Sequence, residues 1–259
     1  MRTVLAALDT SAAARPVLDV AIGIGELTGS RVQAIHITDD GDDVPEWLAA
    51  QEDVPLRLLE GAVEPNLLSA VEDDAVVAAV FGARGSPGGR RPAGHTAMHV
   101  LERATKPIVI VPPDAAVPTS AHPLRRLLVP LEGAKESSRP ILDRLCPLIV
   151  AEIELVVLHV FTTATVPRAL DRSARDLSMW GDEFVARFCP GAARIELRTG
   201  PIGVRVGEVT AEVGADLVVL SWSRNSSPGH AAVIRDVLGS ARVPVILLPL
   251  DAAASAGTR

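Results

Sequence analysis

Cysteine is scarce in this chain of 259 residues, which contains only Cys146 and Cys189. The two lie far apart and form no C-x-x-C pair, so the sequence indicates neither a zinc cluster nor a disulfide framework. A chain with so few cysteines fits a reducing compartment, and we expect it to act in the cytoplasm.

Long apolar runs and an excess of positive charge are also lacking. The N-terminal apolar run ends at Asp9 and is too short for a signal peptide, and Glu152 and Glu154 interrupt the apolar stretch of residues 148–161. The formal net charge of -7 argues against a nucleic acid or an anionic membrane as partner. The sequence therefore predicts a small-molecule partner and no membrane span.

The chain contains an internal repeat. "TVLAALD" at residues 3–9 matches "RLLVPLE" at residues 126–132, and each is an apolar run that ends in a carboxylate. "VLERATKPIVIVP" at residues 100–112 matches "VLGSARVPVILLP" at residues 237–249 with the same spacing. Such self-similarity indicates a tandem duplication.

Each copy alternates Val/Ile/Leu-rich strands with helical segments, which is typical of a parallel sheet covered on both faces. Right-handed crossovers then give an α/β fold of two tandem doubly wound domains. We assign residues 1–113 to a first half, 114–124 to a Pro- and Ala-rich linker, 125–250 to a second half and 251–259 to a flexible tail.

A glycine-rich loop follows the fourth strand of the first half. The stretch "VFGARGSPGGRRPAGHTAMHVL" at residues 80–101 joins an apolar run to a helix. Glycines allow close backbone approach to a ligand, and the helix start directs free N–H groups at an anion. Arg84, Arg90 and Arg91 lie in this loop and can meet a phosphate.

With this repeat and this loop, the chain resembles the universal stress protein family over residues 3–113 and 126–250. The resemblance implies two Rossmann-like domains, each with a five-stranded, mostly parallel sheet in the strand order 3-2-1-4-5. It also implies that adenosine is recognised by Asp9, which follows the first strand, and by the backbone of Ile37, which ends the second strand. The implied ligand is ATP or a related adenine nucleotide.

The loop departs from the family pattern, which is G-x-x-G, nine residues, then G-S or G-T. Gly82 and Gly85 match the paired glycines, and Gly94 matches the third if eight residues intervene. His95 then stands at the hydroxyl position. If nine residues intervene, as is usual in the family, Thr96 takes the hydroxyl position and His95 takes the place of the third glycine. The register of the following helix favours Gly94 as the third glycine.

The second half departs further from the pattern. Glu132 replaces the aspartate, Ser221 and Arg224 replace the paired glycines, and Ala231 and Ala232 lie where Gly-Ser is expected. Side chains at these positions obstruct the close approach that glycine permits. We expect no ordinary nucleotide site in the second half.

Simpler interpretations remain open for several of these residues. Asp9 or Ser11 can be the N-cap of the first helix, and the loop arginines can be solvated surface charge. His95 and His99 have the i, i+4 spacing of a metal pair but lack a zincin Glu, which favours helix surface and no metal. His36 and His159 occupy one repeat position and are expected to make strand-end hydrogen bonds.

No catalytic motif is recognisable. The sequence therefore favours a stress-response sensor or regulator that binds an adenine nucleotide in its first half, and not an enzyme. The alternative is a nucleotide-independent interaction module with both sites degenerate, and a weaker third option is slow ATP hydrolysis or a metabolic ligase. In each case we expect the halves to pair through their closing strands as a pseudo-dimer, because "IVIVPP" and "VILLPL" would otherwise be exposed edges. A homodimer of the chain is also compatible with the sequence.

Overall fold

The computed structural model describes residues 1–11, 14–38, 47, 53–83, 94–131, 135–161, 174–188, 194–223 and 232–250. The helices and strands of the first half are β1 (Thr3–Ala7), α1 (Arg15–Thr28), β2 (Arg31–Thr38), β3 (Leu56–Glu60), α2 (Val63–Val71), β4 (Val76–Gly82), α3 (His95–Arg103) and β5 (Ile108–Val111). Those of the second half are β6 (Arg126–Pro130), α4 (Lys135–Leu145), β7 (Glu154–Phe161), α5 (Ala174–Phe188), β8 (Arg194–Thr199), α6 (Ile202–Val213), β9 (Leu217–Trp222), α7 (Ala232–Ser240) and β10 (Val245–Pro249). The predicted tail, residues 251–259, lies outside the described residues.

The ten strands within the described ranges form one sheet in the order β3-β2-β1-β4-β5-β10-β9-β6-β7-β8. Each half has the predicted order 3-2-1-4-5, and the strands within each half are parallel. β5 and β10 pair antiparallel, with Ile110 opposite Val245 and Ile108 opposite Leu247. The two predicted five-stranded sheets are therefore one continuous sheet, joined by the pairing of the closing strands that we expected.

The hydrophobic core has two layers, one on each face of the sheet. One cluster contains Leu5 and Leu247, and the other contains Val4 and Ile246. Neighbouring residues of a strand point to opposite faces, so these clusters are the two faces. Each cluster includes side chains from both halves, which means that the halves share their core and are not two independently packed units.

Helix ends follow from local sequence. Pro16 lies in the first turn of α1, where its missing N–H is not needed. α1 ends before Gly29, which has φ 60°, and the Gly29 and Ser30 N–H groups return to the carbonyls of the last turn. None of the helices in the described part of the chain is long and apolar enough to cross a bilayer.

The predicted linker is packed against both halves. The Ala116 N–H donates to the Arg242 carbonyl oxygen at 2.9 Å. Pro118 lies against α1, where a Cβ built on Gly23 would be 2.6 Å from the Pro118 Cγ. The absence of a side chain at Gly23 is what allows this contact.

We expect Gly23→Ala to lower the free energy of unfolding by about 1–3 kcal/mol, because the added methyl overpacks the contact with Pro118. Gly207→Ala is the matched control, since it also lies inside a helix and a Cβ there meets nothing within 4 Å. The control is expected to raise stability by up to about 1 kcal/mol through helix propensity. Urea denaturation compares the two. Equal stability of both variants would mean that the linker does not pack on α1.

Candidate functional site

A cavity of about 560 Å³ opens at the carboxyl ends of β1, β2 and β4. This is the position where ligands bind in open parallel sheets, at the point where neighbouring crossovers leave to opposite faces. All six predicted site residues that the structure describes line it: Asp9, Ile37, Gly82, Gly94, His95 and Thr96. The structure therefore brings together residues that are up to 87 positions apart in the sequence.

Apolar side chains form much of the cavity wall. Val63 and Leu67 of α2 lie on one side, and Pro16 and Val17 of α1 lie on the other. α2 and α1 cover opposite faces of the sheet, as their buried residues belong to different core clusters. The cavity is therefore open between the two helical layers, at the edge of the sheet.

Asp9 follows β1 and turns the chain toward α1. Its Oδ1 accepts hydrogen bonds from the Ser11 N–H, at 2.7 Å, and from the Ser11 hydroxyl. The interpretation of Asp9 or Ser11 as the N-cap of α1 is wrong. The helix begins at Arg15, so its N-cap is Ala14, which has no side-chain capping bond. Asp9 instead closes a turn of the Asx type at the cavity wall.

Ile37 lies within β2, which continues through Thr38, and it faces Leu59 of β3. The sequence predicts Ile37 at the end of the second strand. The strand is one residue longer, because Thr38 still pairs with Glu60 of β3. The Ile37 side chain is partly buried against the same core cluster as Leu67. Its position lines the cavity all the same.

His36 makes the strand-end hydrogen bond that we expected. Its Nδ1 lies 2.9 Å from the Leu8 carbonyl oxygen, which can only accept, so Nδ1 carries the proton. In the neutral ring Nε2 is then an acceptor. The Nε2 atom is buried and has no hydrogen-bond partner among the described residues. The Nδ1 bond ties the end of β2 to the residue that precedes Asp9.

The two described glycines of the loop pattern have different local roles. A Cβ on Gly82 would lie 3.3 Å from Cγ2 of Val17, so glycine permits close packing of β4 against α1. Gly94 is the N-cap of α3, with φ -61° and ψ 161°. The helix start agrees with the register that makes Gly94 the third glycine of the pattern. Arg84, Gly85, Arg90 and Arg91 lie outside the described residues.

His95 and Thr96 are the first two residues of α3, and no side chain among the described residues caps this helix. The helix therefore presents backbone N–H groups without intrahelical partners toward the cavity. These N–H groups and the positive end of the helix dipole make the end of α3 suitable for an anion.

Glu64 is a residue that sequence reasoning missed. Its carboxylate lies 3.3 Å from His95 Nε2 and 3.3 Å from His99 Nδ1. We noted that no zincin Glu accompanies this pair, but the neighbouring helix α2 does supply a carboxylate. No group of three or more His, Cys, Asp or Glu side chains within the described ranges is arranged to hold a metal ion.

The second half has a different environment at the repeated positions. His159 Nδ1 lies 2.9 Å from the Leu131 carbonyl oxygen, as expected from the match with His36. Its ring is surrounded by Phe161, Trp180 and Phe184, with ring centroids 4.6–5.2 Å away. Burial lowers the pKa of His159, and the hydrogen bond to Leu131 opposes this in part.

The lowered pKa of His159 predicts loss of stability in acid. Above about pH 6.5 the ring is neutral in both states, whereas below it the unfolded chain binds a proton that the folded protein does not. The free energy of unfolding should therefore fall as the pH drops below about 6.5, until the folded pKa is passed. His159→Gln should show a shallower dependence between pH 7.5 and 5, measured by urea denaturation, by at most about 1.4 kcal/mol per pH unit. Identical slopes would contradict the prediction.

Trp222 occupies the position that Ala83 has in the first half. Both residues belong to the core cluster shared by the halves, but Ala83 also lines the cavity. Ser221 is partly buried at the matching position of Gly82. The other expected departures, at Glu132, Arg224 and Ala231, lie outside the described residues, and Ala232 begins α7. The absence of a nucleotide site in this half stays a prediction.

Comparison with known proteins gave structural matches only. No protein-family model and no curated protein matches the sequence. A protein of unknown function from Pseudomonas aeruginosa matches with a TM-score of 0.71 and 14% identity, covering 98% of this chain and 95% of its own. A universal stress protein from Archaeoglobus fulgidus matches with a TM-score of 0.61 and 14% identity, covering 96% of each chain.

Half-length matches also occur. A universal stress protein in complex with cAMP covers 49% of this chain and 97% of its own, with 20% identity and a TM-score of 0.36. The cAMP belongs to that protein, and so low a TM-score places no ligand in this chain. The whole-length matches confirm the resemblance at the level of the fold: the chain has the tandem two-domain fold of universal stress protein structures.

Proposed function

We propose that the first half binds an adenine nucleotide, ATP or a close relative, and that the protein acts in the cytoplasm as a sensor or regulator of the stress response. The observation that carries this proposal is the cavity of about 560 Å³ at the carboxyl edge of the sheet. Its volume lies within the range of about 300–1,000 Å³ that small-ligand sites have.

The end of the cavity near β1 and β2 suits adenosine. Val63 and Leu67 offer apolar surface to a purine ring, and Asp9 offers a carboxylate to a ribose hydroxyl or to the adenine amino group. The Ser11 donors bond one Asp9 oxygen, Oδ1, and hold the carboxylate in one orientation. The backbone of Ile37 completes this side in our proposal.

The end near α3 suits phosphate groups. The N–H groups of His95, Thr96 and Ala97 belong to the first turn, for which the described residues supply no side-chain cap. The Thr96 hydroxyl is a further donor, and both Gly82 and Gly94 leave the backbone bare. We propose that Arg84, Gly85, Arg90 and Arg91 extend this side.

A regulatory role fits better than a catalytic one. The titratable side chains that line the cavity in the described part of the chain are Asp9, His36 and His95. Each already contacts a structural partner: Ser11, the Leu8 carbonyl and Glu64, respectively. Among the described residues that line the cavity there is no Ser, Cys or Lys that could act as a nucleophile beside these groups, which supports a binding role.

Thermal unfolding with ATP tests the proposal. At about one hundred times its dissociation constant, a ligand stabilises the folded protein by about 2.7 kcal/mol. Asp9→Ala should abolish most of this gain, because it removes both the carboxylate and the turn. Asp143→Ala is the control: Asp143 is an exposed carboxylate of α4 that pairs with Arg139, and its loss should leave the ATP effect intact.

Mass spectrometry of small molecules released from the native protein gives an independent result, an adenine nucleotide being expected. Folded protein that shows no stabilisation at millimolar ATP would contradict the proposal. That outcome would favour the nucleotide-independent interaction module.

A further inference from the structure

The C-terminal end of α3 is held from both halves of the molecule. The Trp222 Nε1–H donates to the Leu101 carbonyl oxygen at 2.9 Å. On the other side, the Thr105 N–H donates to Glu72 Oε1 at 2.7 Å and so turns away from the helix carbonyls. The carbonyls of the last helical turn lack intrahelical partners. The indole of the second half therefore supplies the partner that Leu101 would otherwise lack.

This contact is buried and spans much of the chain. Trp222 is 121 residues from Leu101, and both are no more than 1% exposed. Trp222 ends β9 and lies beside Pro249 of β10, so its backbone is held by the sheet. A side chain that reaches from a fixed strand to a helix of the other half restricts where that helix can lie.

The opposite end of α3 faces the cavity. The helix has nine residues, and at about 1.5 Å per residue its two ends are only about 13 Å apart. Ala97 and Val100 are buried, so the helix is packed along its length. A displacement at Leu101 would therefore move the first turn, which carries His95 and Thr96.

We propose that Trp222 is a positioning residue for the anion-binding end of the cavity. Through it, the second half sets the position of the α3 N-terminus in the first half. The proposal rests on the proposed function for its ligand, phosphate groups of an adenine nucleotide, and it gives the second half a role that needs no nucleotide site of its own.

The ratio of the ATP affinity to the adenosine affinity distinguishes a positioning role of Trp222 from simple stabilisation of the fold. Trp222→Phe keeps an aromatic ring but removes the donor. Because α3 faces the phosphates and not the nucleoside, ATP should bind about tenfold more weakly, while adenosine affinity should stay within about twofold. Isothermal titration calorimetry measures both. An equal loss for the two ligands, or no loss, would overturn the proposal.

Trp180→Phe is the matched control. Trp180 is also an indole of the second half, but it packs against His159 and Phe184, away from α3. The same chemical change there should leave the ratio of ATP to adenosine affinity unchanged. Glu72→Ala releases the same end of α3 from within the first half, at an exposed hydrogen bond, and should lower the ratio even if Trp222→Phe folds poorly. An unchanged ratio in Glu72→Ala would count against the anchoring of α3.

Hydrogen exchange without ligand decides the proposal even if the protein binds no nucleotide. In Trp222→Phe the amides of residues 98–104 should exchange about tenfold faster than in the unsubstituted protein, and those of β7 should not change. Unaltered exchange in α3 would overturn the proposal. A failure to bind ATP with faster exchange in α3 would instead contradict the proposed function alone.

Discussion

Leu247→Asp should disrupt the whole molecule and not only its second half. Leu247 lies in β10 between Leu220 of β9 and Ile108 of β5, and it is fully buried. An aspartate at this position introduces a charge with no partner into a core that both halves share. Leaving a buried charge uncompensated costs about 3–5 kcal/mol, which is a large part of the stability of a typical domain.

Urea denaturation followed by circular dichroism measures this effect. We expect a single transition in the unsubstituted protein and, for Leu247→Asp, a midpoint shifted strongly downward for probes in either half. Leu58→Asp is the control, because Leu58 lies on the edge strand β3 with 51% of its surface exposed. Surface changes of this kind are worth about 0.5 kcal/mol or less. Loss of the second half with a normal transition of the first would show that the halves fold separately.

The fold was predictable because it depends on local sequence patterns that occur in both copies of the repeat. Apolar runs such as residues 127–129 and 217–220, which alternate with helical segments, are typical of buried strands of a parallel sheet. The crossover rule then leaves few strand orders. The pairing of β5 with β10 also follows from the sequence, since each closing run is apolar and lies at the edge of its half.

The site was predictable only in outline. Asp9, Ile37 and Gly82 meet because they lie near the carboxyl ends of neighbouring strands, and Gly94 joins them because it begins the helix that comes after β4. The local role of Asp9 was not predictable, since nothing in "LDTSAAARP" shows that the helix begins at Arg15 instead of directly after the turn.

Contacts between elements were beyond sequence reasoning. Glu64 contacts His95 and His99 because α2 and α3 pack side by side on the same face of the sheet. Trp222 reaches Leu101 because β9 and α3 lie close across the pairing of the closing strands. The one available signal was the repeat itself, in which Trp222 replaces the small Ala83 of the first half, a change in size that suggests a change in packing.

Ala7→Phe should abolish ligand binding while the protein stays folded. Ala7 ends β1, lines the cavity, and packs partly buried against the core cluster that contains Leu67 and Ala97. A phenyl ring at this position extends into the space that we assign to adenosine, so affinity for ATP and for adenosine alike should fall by about one hundredfold or more, or about 2.7 kcal/mol. This pattern differs from that of an α3 variant, which should affect ATP alone. Overpacking should cost about 1–3 kcal/mol of stability.

The control for this substitution is Ala211→Phe, on the exposed side of α6 in the second half. It adds the same ring far from the cavity and should leave both affinities unchanged. Calorimetric titration of the two variants with ATP and adenosine makes the comparison. If Ala7→Phe bound either ligand as tightly as Ala211→Phe does, the nucleoside would have to lie elsewhere, because the ring and the purine cannot occupy the same volume between β1 and α2.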